Sequence, residues 1–101
     1  MTSRTINLDQ VGTPALLGTD INEHVIFQGT GTSAINFTLF AGQQDGNWVE
    51  LFNFSKHAVT LVVANGQHGQ LSGPGTMAAY SGSGAVPRLR LLWLQGYWHH
   101  G

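Results

Sequence analysis

The chain has 101 residues, no cysteine and a charged fraction of 9%, with four Lys/Arg against five Asp/Glu for a formal net charge of −1. This length supports one domain, the absence of thiols excludes a disulfide scaffold, thiol catalysis and thiolate zinc sites, and the near-neutral balance offers no basic field to hold a nucleic acid or an anionic membrane. The charged fraction lies far below the roughly 25% of soluble domains, so a surface this poor in charge is expected to find cover on another subunit.

In chain order, Met1–Gln10 lacks the apolar stretch of a secretory signal, which implies synthesis in the cytoplasm without a signal peptide. Ile6, Leu8 and Val11 alternate with polar neighbours, and Thr5–Leu8 reads as a weak strand. Residues 1–22 are therefore expected to form an N-terminal arm that pairs with a neighbouring molecule, or an edge strand of the chain's own sheet, followed by a loop carrying Gly12, Pro14 and Gly18. From residue 23 to 101 a β domain is expected. Its strands are His24–Gln28, Ala34–Phe40, Asn47–Asn53, Ala58–Ala64, Thr76–Tyr80 and Arg88–Leu94, each short and rich in β-branched, aromatic or aliphatic residues. Asp45-Gly46 and Asn65-Gly66 suit tight hairpin turns, and Gly73-Pro74-Gly75 and Gly82-Ser83-Gly84 break the chain elsewhere. About seven strands at roughly ten-residue spacing predict an all-β fold, a single small β-sandwich or jelly-roll-like barrel.

The strand faces carry more than one core can absorb. Ala34–Phe40 alternates as a half-buried strand does, with Ile35, Phe37 and Leu39 on one side. Asn47–Asn53, by contrast, puts Trp48 and Phe52 on one face and Val49 and Leu51 on the other, while Arg88–Leu94 puts Leu89, Leu91 and Trp93 against Leu92 and Leu94. Each large side chain left in water forgoes about 1.5–3 kcal/mol of burial. The surplus points to a homo-oligomer or another partner, with an interface expected among Ile6, Leu8, Val11, Leu89, Leu91, Leu92, Trp93, Leu94, Tyr97 and Trp98.

Residues able to carry chemistry are sparse. His24, His57 and His68 stand singly, and the adjacent His99-His100 would point to opposite faces of an extended chain, so no metal or other cofactor is expected. His57 and His68 are expected at the surface, where their replacement changes stability by under ~0.5 kcal/mol. The carboxylates Asp9, Asp20, Glu23, Asp45 and Glu50 form no recognisable acid–base pair, and no G-x-S-x-G elbow occurs, so no enzymatic activity is expected. Gly29-Thr30-Gly31-Thr32 follows a strand as a phosphate loop would, but without the Gly-Lys-Ser/Thr that such a loop needs it reads as a turn. Asn36-Phe37-Thr38 and Asn53-Phe54-Ser55 match the glycosylation acceptor pattern without a secretory context. Trp93, Tyr97 and Trp98 could stack on sugars or form an interface.

The order of features from Ile35 to Trp93 resembles the small β domains of tailed-bacteriophage virion proteins. The elements that carry the resemblance are INFTLF, GNWVELFN, Phe54-Ser55-Lys56-His57 leading into AVTLVVA, the Gly-rich NGQHGQLSGPG, TMAAYS and RLRLLWL. It implies a low-charge homotrimer on the virion surface, contacting the major capsid protein or another virion protein. The Leu-Pro segment of fibre tips and a stalk are both missing, so a capsid decoration (cement) protein is expected, with a receptor- or glycan-binding fibre tip as the alternative.

Overall fold

The computed structural model of the chain describes residues 2–9, 15–16, 22–39, 42–63 and 75–100. The described residues contain strands and no helix, and therefore no helix long and apolar enough to cross a membrane. The strands are β1 (Thr2–Asn7), β2 (Ala15–Leu16), β3 (Asn22–Gln28), β4 (Ile35–Leu39), β5 (Trp48–Asn53), β6 (Val59–Val63), β7 (Thr76–Met77), β8 (Arg88–Leu94) and β9 (Tyr97–His100). They form a five-stranded sheet in the order β1-β3-β5-β8-β9 and a four-stranded sheet in the order β2-β4-β6-β7.

Through β6 the chain passes from one sheet to the other at every step, so neighbours within a sheet come from successive windings and run parallel. Thr2 lies against Glu23 and Asn22 against Trp48 in one sheet; Ala15 lies against Thr38 and Ile35 against Val59 in the other. The antiparallel pairs β6–β7, β5–β8 and β8–β9 close the fold. This pairing corrects the jelly-roll expectation, which requires antiparallel neighbours. It also reassigns Asp45-Gly46: Gly46 has the positive φ of 99° that the dipeptide favours, but the turn sits on a crossing between sheets rather than in a hairpin. There the Asp45 carboxylate accepts hydrogen bonds from Gln95 N at 2.9 Å and Nε2 at 2.8 Å. Among the described residues the two-residue hairpin is Gln95-Gly96, with φ of 53° and 84°, the two positive values of a type I′ turn, and Asn65-Gly66 lies outside the described residues.

Alternation decides what lies between the sheets. Val25 and Phe27 of β3, Val49 and Leu51 of β5, and Leu91 and Trp93 of β8 face Phe37 and Leu39 of β4, Val59 and Leu61 of β6, and Met77 of β7, all buried in one cluster. Phe27 and Phe37 meet across the sheets with ring centroids 4.9 Å apart. The opening segment belongs to this unit. Thr2–Asn7 is the edge strand of the chain's own sheet rather than an arm on a neighbour, Leu8 is buried in the core, and Ala15–Leu16 pairs with β4 inside the stretch expected to be loop.

Candidate functional site

Two polar arrangements stand out, one inside the fold and one on its outer face. The inner one is built where the chain turns from the five-stranded sheet toward the other. Asp9, just after β1, accepts Thr30 N at 2.7 Å and Thr30 Oγ1 at 3.2 Å on one carboxylate oxygen and Gly31 N at 2.9 Å on the other. The segment read as a plain turn thus holds an anion on its backbone amides, and the anion is the protein's own carboxylate. His57, in a later winding, donates through Nε2 to Asp9 Oδ1 at 2.7 Å and through Nδ1 to the Ser33 carbonyl at 2.6 Å. With acceptors on both nitrogens, the ring satisfies both bonds only as imidazolium. The Asp9 hydrogen bond and the Ser33 carbonyl raise the His57 pKa against the opposing effect of burial. The Thr30 amide first, then His57 and the Gly31 amide, hold Asp9 well below the usual carboxylate range.

This arrangement overturns the expectation of a surface histidine. His57 is 3% exposed, and a Cβ on Gly31 would stand 2.8 Å from its Cε1. Beside it Asn53, fully buried, donates through Nδ2 to the carbonyls of His57 at 2.8 Å and Ala78 at 2.9 Å, while its Oδ1 accepts Ser55 N and Oγ. The glycosylation-like Asn53-Phe54-Ser55 is therefore an internal bracket whose amide nitrogen is fully engaged. Asn53→Ala would take the acceptor from the buried Ser55 amide and hydroxyl and a donor from the His57 carbonyl, at about 1–3 kcal/mol for each buried group left unsatisfied. Thermal melting should show a drop on the order of 10 °C; an unchanged melting temperature would show that water replaces the amide.

The outer arrangement lies on the solvent side of the five-stranded sheet. Trp48, Glu50 and Phe52 project there from β5, His24 from β3, and Arg88, Arg90, Leu92 and Leu94 from β8. The His24 ring packs between Trp48 and Phe52, with centroids 5.4 and 5.7 Å away, and its Nε2 lies 3.1 Å from Glu50 Oε1. Arg90 sits over Trp48 at 5.9 Å, and Arg88 reaches Glu50 at 3.7 Å. Ser3 of β1 stands beside His24 in register, giving a serine–histidine–carboxylate row across β1, β3 and β5, but among the described residues no hydrogen bond joins Ser3 to the ring. Nor do any three described His, Asp or Glu side chains converge as a metal site would require. What the face offers is apolar and aromatic surface edged with guanidinium groups.

Comparison of the chain with protein-family models, with curated proteins and with solved structures found no match.

The residues expected at an interface do not share one place in the structure. Leu8, Leu91, Trp93 and Trp98 are core residues of the chain itself, with Trp93 and Trp98 edge to face at 5.3 Å. Ile6 and Leu89 are partly buried against that core. Leu92 and Leu94 are half-buried on the outer face, and Tyr97 is 41% exposed. Val11 and His68 lie outside the described residues. Phe54, at 42% exposure, is a surface aromatic that the sequence reading misses; it packs against Tyr80 beyond the His57 bracket. Its position just after an alternating strand is the one signal for it.

Proposed function

We propose that this chain is a non-enzymatic structural module of a tailed-bacteriophage virion, acting as a capsid decoration (cement) protein that associates as a homotrimer on the particle surface. The observation that carries the reading is the outer face of the five-stranded sheet, where Trp48, Phe52, Leu92, Leu94 and Tyr97 lie with Arg88 and Arg90. Aromatic residues and arginine are enriched at the energetic centres of protein–protein interfaces. The resemblance of Ile35–Trp93 to small virion β domains supports the setting, and the low charged fraction suits a surface meant to be covered. In this reading the two-sheet fold serves as a compact β-sandwich that adds contact area between capsid subunits. The glycan-binding alternative loses support because Trp93 and Trp98 are enclosed in the core.

Sedimentation equilibrium tests the proposal. A trimer is expected at micromolar concentration, and Phe52→Ser with Leu92→Ser should weaken it at least tenfold without unfolding the half-buried face. Mass spectrometry of virions carrying the chain should give a copy number in multiples of three. A monomer at high micromolar concentration, together with absence from purified particles, would overturn the reading.

A further inference from the structure

We propose that Thr30, Gly31 and His57 form a carboxylate-binding site in its own right, which Asp9 fills as an intramolecular ligand and which takes free acetate or formate when that side chain is withdrawn. The distribution of donors carries the argument. Asp9 Oδ1 accepts Gly31 N at 2.9 Å and His57 Nε2 at 2.7 Å, while Oδ2 accepts Thr30 N at 2.7 Å and Thr30 Oγ1 at 3.2 Å. Each oxygen thus has two donors, an arrangement that fits a planar anion with two oxygens and not a single-centred halide. The donors lie 21, 22 and 48 positions from Asp9, so the site is made by the rest of the fold and not by the segment that carries the ligand.

Both halves of the contact are positioned without the carboxylate. The His57 ring is buried and fixed by the Ser33 carbonyl at 2.6 Å, its carbonyl accepts Asn53 Nδ2 at 2.8 Å, and Lys56 N ties the same segment to the Gly29 carbonyl at 3.1 Å. On the ligand side, buried Leu8 donates its N–H to the Gln28 carbonyl at 2.8 Å, and Asp9 N donates to Asn7 Oδ1 at 2.9 Å. The backbone of residue 9 therefore stays beside the donors when its side chain is removed. The glycines set the size limit: a Cβ on Gly29 would stand 2.9 Å from Asp9 Oδ1 and one on Gly31 3.0 Å from the same atom. The backbone thus closes on the head group and admits nothing bulkier. The Asp9 side chain is 30% exposed and that of His57 4%, so the ligand position opens to solvent while the cationic donor behind it does not.

The test is chemical complementation in the full chain. Asp9→Gly removes a methylene and a carboxylate, which acetate replaces atom for atom. Asp9→Ala keeps the first carbon, so formate supplies what is missing and the methyl group of acetate collides with that carbon. Melting temperatures are followed at about pH 5.5, below the ordinary imidazole pKa of about 6.5, so that both ring nitrogens carry protons. Acetate is expected to raise the melting temperature of Asp9→Gly saturably, by roughly 4–8 °C at about five times its dissociation constant. Formate should do the same for Asp9→Ala, and acetate should not. The parent, whose site is filled, and Asp9→Gly/His57→Leu, which lacks a donor, should gain nothing saturable, and sodium chloride at matched ionic strength should not substitute. Where a variant is unfolded in chloride, strand signal regained in circular dichroism on adding the anion reads the same binding. Equal shifts in the parent, or failure of acetate and formate to rescue either variant, would overturn the proposal.

Discussion

Replacing His57 by leucine should lower stability by about 2–4 kcal/mol, since two hydrogen bonds from a charged donor are lost and the Ser33 carbonyl is left without its partner. For a domain of this size each kcal/mol moves the melting temperature by roughly 4–8 °C, so the drop should be on the order of 10 °C or more. The parent protein should also show a pH signature that the variant lacks. The folded-state pKa of His57 is raised above the ordinary 6.5, so its stabilisation is complete below that value and fades as pH climbs through the folded pKa. The folded-state pKa of Asp9 is lowered from 3.8, so its contribution is present above that value and disappears only in stronger acid. Melting temperature should therefore be flat from about pH 4.5 to 6.5 and decline on the alkaline side. Parallel profiles for the parent and His57→Leu would show that the bracket contributes nothing.

Trp98→Ala should be the most damaging single change, at about 3–5 kcal/mol. The indole is fully buried, packs edge to face on Trp93, and is the one buried side chain of the short strand β9. This is a large share of the roughly 5–15 kcal/mol that holds a typical domain folded. The change should broaden or abolish the urea transition, whereas Tyr97→Ala, on the same strand but 41% exposed, should leave it nearly in place. If Trp98→Ala kept its unfolding midpoint and lost only self-association, Trp98 would belong to an interface and the assignment to the core would be wrong.

Tyr97 and Trp98 are adjacent aromatics that look alike in the sequence, yet one faces water and the other fills the core. Where a strand is long enough to alternate, such a choice is a local property. Alternation along Ala34–Phe40, Asn47–Asn53 and Arg88–Leu94 puts Phe37, Leu39, Val49, Leu51, Leu91 and Trp93 on the faces that the core buries. The strands β2 and β9 carry weaker signals. Ala15–Leu16 is two residues long in a proline- and glycine-bearing stretch, and β9 follows Gln-Gly, a less familiar dipeptide for a type I′ turn. The parallel pairing is not legible, because which strand lies beside which depends on contacts between windings rather than on any turn residue. The same holds for Asp9 and His57, which are 48 positions apart and look like isolated polar residues until the fold joins them.

The winding of the chain has a kinetic consequence. Partners such as Thr2 and Glu23, or Asn22 and Trp48, meet only after a long intervening segment has closed, and each closure costs entropy before any ladder forms. Among the described strands, β8 and β9 alone are joined by a two-residue turn. That hairpin is the natural place for nucleation, with the parallel rungs added afterwards. High contact order of this kind puts folding on a millisecond-to-second timescale. During that interval the unpaired edges of β3 and β5 are exposed, so a nascent chain at high concentration faces a competition between completing its own sheets and pairing with its neighbours.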